Sequence, residues 1–535
     1  MPSKKDNIFF RSTLCGIISL LTASGLQAQS TVQQRSPIVV SIIVEGLSDE
    51  YLSLLEPQFV DGGFKRLMHF GTAFSNVDFG PGTDPAAATA ILYTGAAPIV
   101  NGIPAATYYD TETKLARPIL YDPSKMGNFT DETYSPVAIH VSTLSDELKK
   151  DTDGDAYIYS IAPSSQQSII AAGHAANGAF WLNTHTGNWA TTTYYRDMPQ
   201  AVNDRNYRNP LSTRLDTMKW APMLPMTSYP LLSRSDRSRP FRYNFPKKEF
   251  NRYRIFSKSP LGNTELTSLA VDILQSSLMG KDEAPDMLCL AYSVNPINAS
   301  PFGCDRAEIL DSYLRLDRDL ARLFATLDRT AGIGRTTIFL SGIPSDGQPR
   351  SDEAQWGIPT GEFSVKRAKS LLDMYLMAVH GNGDWVTGYH NKHFYLNHKL
   401  IKERNHNLAE FRAEVADFLA RMSGISNVHT IDDIIASRAG DNPQATKRNT
   451  SLRHAGDVII EVNPGWEISD DPTHPAHSGL ESNSAVNIPA FIAGPNIPAR
   501  RIDIPVDARA FAATIARTIN IRAPNGAAFP AIRLK

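Results

Sequence analysis

The stretch Ile38-Val39-Val40-Ser41-Ile42-Ile43-Val44-Glu45, followed by Gly46-Leu47-Ser48-Asp49, decides how the rest of the chain is read. Apart from Ser41 and Glu45, every residue in the run is β-branched and apolar, and a turn signal closes it. That composition belongs to a parallel strand buried on both faces. In open α/β sheets, ligands and chemistry sit at the carboxyl ends of such strands. Here the residue at that end is Glu45, followed by glycine. A carboxylate there serves as a cation ligand or as a cap for the next helix. A lone carboxylate makes a poor metal site, so capping or a hydrogen bond to nearby backbone is the expected role.

Working outward, a helix is expected over 49–56, and the breaker-rich turn Gly80-Pro81-Gly82-Thr83-Asp84-Pro85 opens an alanine-rich helix over 86–93. Strand-like runs recur at 156–161, 287–293, 336–340, 458–461 and 490–493. Helical periodicity marks 266–278, 307–328, 408–422 and 508–519. Alternation of this kind, with right-handed crossovers, predicts an α/β fold with a doubly wound, mostly parallel sheet. Two stretches break it and are expected to be insertions. The first, about 188–263, is rich in Tyr, Pro, Arg and Asn and would form a cap; the second is about 348–453.

At 535 residues, with 42% hydrophobic and 20% charged residues, the chain has a globular composition, and its net charge of −2 gives no electrostatic case for nucleic acid. Lys4, Lys5 and Arg11 precede an apolar stretch over 14–21, and Ala28 ends a small-residue site, so residues 1–28 read as a secretory signal and 29–36 as a linker. The apolar stretch is too short to span a bilayer, and no transmembrane segment is expected in the mature chain over 37–535. Export to the periplasm or medium of a Gram-negative-type cell is expected. Cys289 and Cys304 are the cysteines left after the signal, which excludes a disulfide framework and permits one bond.

The stretches IVVSIIVEGLSDEYL, GGFKRLMHFGTAFSN, ILYTGAAPIVNGIPAATYYD, AAGHAANGAFWLNTHTGNW, YLRLDRDLARLFATLD and NIPAFIAGPNI together resemble the alkaline phosphatase superfamily. The likeness is to exported bacterial phosphomonoesterases of its nucleotide pyrophosphatase/phosphodiesterase branch, and it runs in order from about residue 37 to the C-terminus. The resemblance implies an alkaline phosphatase-like fold with cap insertions. It also implies two zinc ions, one held by an Asp and two His and the other by two Asp and a His. A Thr or Ser at the start of the second helix would be the nucleophile.

Carried over position by position, the resemblance implies a degenerate site. Glu45 stands at the first-strand Asp, and Pro85, which has no hydroxyl, at the nucleophile. Asn295 and Ala299 stand at an Asp and a His, and Ile343 and Pro344 at an Asp–His pair. The phosphate-holding Asn, Lys and Arg are Ala106, Ser164 and Gln166. His477, in His477-Ser478-Gly479, matches a retained ligand position. Asn, Ala, Ile and Pro would relieve the like-charge repulsion of a carboxylate cage without metal. No catalytic, phosphate-binding or metal-binding residue and no cofactor is therefore expected. The expected function is an inactive pseudoenzyme with a binding or structural role in the cell envelope.

The alternative is a metal-dependent phosphomonoesterase or phosphodiesterase with a rebuilt zinc site. It would use Thr83 as nucleophile and Glu45, Asp84, Asp346, His474 and His477 as ligands. Against this, Thr83-Asp84-Pro85 reads as a helix start and Asp346-Gly347 as a turn, and Pro472 and Pro475 forbid a regular helix around His474 and His477. His390 and His393 read as surface or structural residues and His174 as a satisfied strand-end residue. The cap crowds Tyr194, Tyr195, Tyr207, Trp220, Tyr229, Tyr243 and Tyr253 with Arg196, Arg205, Arg208, Arg234, Arg237 and Arg242. That mixture suits either a surface for an envelope protein or glycan partner, or the packing of a cap that lacks a deep core.

Overall fold

A computed structural model describes residues 35–80, 82–294, 306–345, 361–438, 446–447, 449–463, 466–469 and 487–534. The run that opened the sequence reading is strand β1 (Ile38–Glu45), at the centre of a ten-stranded sheet. The other strands in chain order are β2 (Thr72–Phe74), β3 (Gly127–Asn128), β4 (Ile158–Ala162), β5 (Gly178–Leu182), β6 (Trp189–Thr192), β7 (Asp286–Ser293), β8 (Thr337–Ile343), β9 (Ala490–Ala493) and β10 (Arg500–Ile502). Their spatial order is β10-β2-β9-β8-β1-β7-β4-β5-β6-β3. The strands from β8 through β1, β7 and β4 to β5 are mutually parallel, whereas β9 and β6 attach antiparallel on either side. The sheet is mostly parallel and helix-covered, as the alternation predicts.

Strand β1 explains the two-sided burial through its pleat. Ile38, Val40, Ile42 and Val44 face one apolar cluster, shared with α4 (Pro260–Ser276) through Leu266 and Leu269 and with α5 (Arg306–Thr330) through Leu310 and Leu314. Val39 and Ile43 face the other, shared with α2 (Pro85–Thr94) through Ala88 and Ile91 and with α6 (Ala510–Thr518) through Phe511 and Ile515. Side chains alternate between faces along a strand, so a run apolar at every position demands a layer on each side. Each of the six apolar β1 side chains is at most 1% exposed, and burying one contributes about 1.5–3 kcal/mol.

The chain leaves β1 through Gly46, whose φ of +79° turns it sharply into α1 (Asp49–Leu55). The N-cap of α1 is Ser48, whose hydroxyl accepts from the Glu50 amide at 3.2 Å. Of the two roles expected for Glu45, capping the following helix is not the one it takes, because the turn places Ser48 at the helix start. At α2 the helix start read from Thr83-Asp84-Pro85 holds: Asp84 is the N-cap, accepting from the Ala86 amide at 2.7 Å, and Pro85 opens the first turn. The helix closes on Gly95 at a φ of +66°.

Several expected boundaries shift. The run 458–461 does not join the main sheet. It becomes the strand Val458–Val462 of a separate four-stranded sheet with Val386–His390, His393–Leu396 and Ile425–Thr430. This sheet has its own core around Trp385, Phe394, Leu372 and Phe411. An isolated apolar run carries no label saying which sheet it enters. At the other insertion, Trp189–Thr192 is a strand of the main sheet, antiparallel to β5.

Candidate functional site

The parallel register brings the sequence-derived positions together. Glu45 pairs with Ser293 of β7 on one side and with Ile343 of β8 on the other, so all three lie side by side at the carboxyl edge of the central strands. The Gly46 amide donates to the Ile343 carbonyl at 3.0 Å, which pins the exit of β1 against β8. Asn295, Ala299, Asp346, His474 and His477 lie outside the described residues.

Of the described positions, Glu45 and Asp84 carry carboxylates and the rest are neutral or apolar. The Ile343 side chain is 0% exposed and belongs to the same cluster as Ile43 and Leu92. Pro344, which follows it, carries no donor group. The Glu45 carboxylate accepts from Gln167 Nε2 at 3.3 Å, and Gln167 Oε1 in turn accepts from the Ser164 hydroxyl at 3.1 Å. Ser164 is the N-cap of α3 (Ser165–Ala172), so the first turn of that helix supplies the neutral amide that faces Glu45. Ala106 packs against the apolar cluster that holds Ala86, Ala90 and Ile103.

The start of α2 holds no free hydroxyl. Thr83 is 6% exposed and donates to the Phe79 carbonyl at 2.9 Å and the Gly80 carbonyl at 3.2 Å, both within its own turn. The described positions do not by themselves make the zinc sites implied by the resemblance: Glu45 is held by a side-chain amide and Asp84 by the Ala86 amide, and the other positions at this edge are a buried alkyl chain and a proline. Among the described residues, no three His, Cys, Asp or Glu side chains come together in a way that could hold a metal ion.

The other histidines have structural partners. His174 follows the carboxyl end of α3 and does not end a strand. Its Nδ1 lies 2.8 Å from Asp146 Oδ2 and its Nε2 3.0 Å from the Ile139 carbonyl. The hydrogen bond to Asp146 holds the imidazole above its ordinary pKa. His390 is 4% exposed, which removes the surface reading for it, and its Nε2 lies 3.2 Å from Thr107 Oγ1. His393 Nδ1 accepts from the Gly456 amide at 3.0 Å. Burial pushes the His393 imidazole down to about 3 and that of His454, in the same small pocket, to about 4. Cys289 is a free, buried thiol, and Cys304 lies outside the described residues.

The cap aromatics turn mostly inward. Trp220 and Tyr229 are at most 1% exposed and Tyr195 is 5% exposed, whereas Tyr207 projects into solvent. Trp220 Nε1 and the Tyr229 hydroxyl both donate to the buried Asp311 of α5, at 2.7 and 2.6 Å. Arg205 is bound to Glu265 and Asp272 of α4. These groups tie the cap to the core helices. Arg196, Arg208, Arg234, Arg237 and Arg242 remain on the surface.

One feature escaped the sequence reading. A cleft of about 470 Å³ opens beside the first turn of α3, at the carboxyl ends of β4 and β5. Its wall includes Ser164 and Gln166, together with Tyr121, Glu132, Trp181 and Asn183. Glu132 sits in the wall with three donors on its carboxylate: Trp181 Nε1, the Ser165 hydroxyl at 3.3 Å and the Thr130 hydroxyl at 3.4 Å. Burial pushes this carboxyl above its ordinary value in spite of those bonds. The usable signal was the strand-end rule applied to β5, whose last residue, Leu182, is followed by Asn183-Thr184-His185.

Comparison with known proteins fits this fold. A family model described as type I phosphodiesterase / nucleotide pyrophosphatase matches residues 39–485. The chain is 26% identical to "Alkaline phosphatase PafA" of Elizabethkingia meningoseptica, over 96% of this chain and 97% of that one. It is also 26% identical to a Myroides odoratus protein named "Calcium-transporting ATPase", over 97% of each chain. The crystal structure of wild-type alkaline phosphatase PafA superposes with a TM-score of 0.82 at 25% identity, covering 93% of this chain and 98% of that chain.

Proposed function

Because the chain belongs to the type I phosphodiesterase / nucleotide pyrophosphatase family, we propose that it keeps the family scaffold for binding and does not hydrolyse phosphate esters. The observation that carries this reading is the start of α2. Pro85 has no hydroxyl, and the Thr83 hydroxyl is spent on two carbonyls of its own turn. Phosphoryl transfer on this scaffold needs an activated oxygen and cations to neutralise the developing charge. Ile343 and the Glu45–Gln167 pair supply neither.

The reading is of an exported pseudoenzyme that acts in the cell envelope by binding a partner protein or glycan, with no cofactor. The inward packing of Trp220, Tyr229 and Tyr195 argues for the former catalytic edge, more than the cap, as the face that does so. Export rests on the signal-like residues 1–28, which lie outside the described residues.

Metal analysis by mass spectrometry on protein purified without chelator tests this, run with aryl phosphate and phosphodiester assays on the same sample. The expected result is no stoichiometric zinc and no turnover above the blank. A second reading, a hydrolase with a rebuilt site, is favoured by the relatives named as alkaline phosphatases. About two zinc ions per chain, with turnover abolished by Glu45→Ala or His477→Ala, would establish that reading in its place.

A further inference from the structure

We propose that the cleft between the first turn of α3 and the end of β5 binds a neutral, polyhydroxylated ligand, a saccharide. The inference rests on the binding role proposed above but not on the loss of hydrolysis. The cleft lies at the carboxyl ends of parallel strands, where α/β sheets receive their ligands, and about 470 Å³ falls within the ordinary range for a small-molecule site.

Its chemistry selects against an anion. No Lys or Arg lines the cleft, whereas Asp131 and Glu132 do, and the imidazole of His185 is the only basic side chain in the wall, so a phosphate group would meet like charge and no fixed cation. Arg117 lies 5.5 Å from the centroid of the Tyr121 ring, but its Nε is committed to Asp110 at 2.6 Å.

A small cation is also poorly served. The Glu132 carboxylate already carries Trp181 Nε1, Ser165 and Thr130 as donors, and Asp131 stands on the exposed rim where water screens it.

What remains suits a sugar. Thr133 and Tyr134 line the cleft, and Ser164, also in the wall, already donates its hydroxyl to Gln167 Oε1. Burial and the nearby Glu132 push the Tyr134 phenol up to about 12, so it stays a neutral donor and acceptor. The Tyr121 ring is 38% exposed and offers an apolar face to the C–H side of a pyranose while the hydroxyls find partners around it. Glu132, locked by its donors, is a preorganised wall, so binding a sugar requires little reordering.

Isothermal titration with maltotetraose, cellotetraose and chitotetraose as probes tests the proposal, with glucose 1-phosphate and putrescine as charged comparators. At least one tetrasaccharide should bind saturably with a Kd on the order of 1 mM or tighter. Thr184→Arg, which fills the cleft from its half-exposed edge, should weaken that binding about tenfold or more with an unchanged melting temperature. Tyr121→Ala serves as the second variant should Thr184→Arg fail to fold, with the same expectation. The proposal is overturned if no tetrasaccharide binds, if the folded variants bind as tightly as the parent, or if putrescine or glucose 1-phosphate outcompetes every neutral sugar. Zinc content and turnover are read separately, so failure here leaves the pseudoenzyme reading standing, and the reverse also holds.

Discussion

Replacing Asp311 by alanine tests whether the cap is built as a structural lid. Asp311 is 0% exposed on α5 and accepts from Trp220 Nε1 at 2.7 Å, the Met223 amide at 2.7 Å, the Tyr229 hydroxyl at 2.6 Å and Arg315 Nε at 2.6 Å. A hydrogen bond to a charged group contributes about 1.5–3 kcal/mol, and the four share one carboxylate, so their sum overstates the effect. Breaking a buried charged pair typically costs about 3–5 kcal/mol because the partner is left uncompensated. We expect Asp311→Ala to destabilise by that amount, a large share of the roughly 5–15 kcal/mol that holds a domain together. Asp311→Asn keeps one accepting oxygen and should lose about half as much. Urea unfolding gives the magnitude. Native-state hydrogen exchange should show the opening concentrated over residues 220–229. A change below about 1 kcal/mol with unaltered exchange there would refute the assignment of Asp311 as the tie between cap and core.

Further outcomes follow from other sites. Pro85→Thr places a hydroxyl at the start of α2 but supplies no cation ligand, so aryl phosphate turnover should stay at the blank; measurable turnover would contradict the proposed inactivity of the edge at Ile343 and Glu45. His393 is held down to about 3, below the roughly 6.5 of an unfolded histidine, so the unfolded state binds the extra proton as pH falls below about 6.5. Its contribution to stability is therefore present at neutral pH and lost on acidification. His393→Gln should lose up to about 2 kcal/mol less than the parent between pH 7 and pH 5 in urea titrations. Gly95→Ala places a Cβ in left-handed backbone, 2.9 Å from Ala527 Cβ and 3.1 Å from the Arg509 carbonyl. It should cost more than about 1 kcal/mol in a thermal melt.

How much was legible in the sequence depended on how local the cause was. The composition of β1 alone required two covering layers, and the Asp84-Pro85 pair alone marked a helix start. The role of Glu45 was not local. Whether a strand-end carboxylate caps, binds metal or meets an amide depends on Gln167, which lies far along the chain. The strand Val458–Val462 looks like any buried parallel strand, and only its partners assign it to the smaller sheet. The cleft was least visible because its wall is assembled from Tyr121, Glu132, Ser164 and Trp181, which share no motif or spacing. Of the cap aromatics, balanced between surface and packing in the sequence, Trp220 and Tyr229 are turned inward by a carboxylate from a distant helix.

The central placement of β1 also sets the order in which this protein can be assembled. Its two neighbours are β7, which ends at Ser293, and β8, which ends at Ile343, so the innermost strand is synthesised before both of the strands that flank it. Until those distant segments arrive, an eight-residue strand with six apolar side chains has both hydrogen-bonding edges open. Long-range parallel pairing is slow to form and exposes such edges to neighbouring chains. The nascent protein thus carries an aggregation hazard from the synthesis of β1 until that of β8, and a chaperone that shields residues 38–45 over that interval would raise its yield.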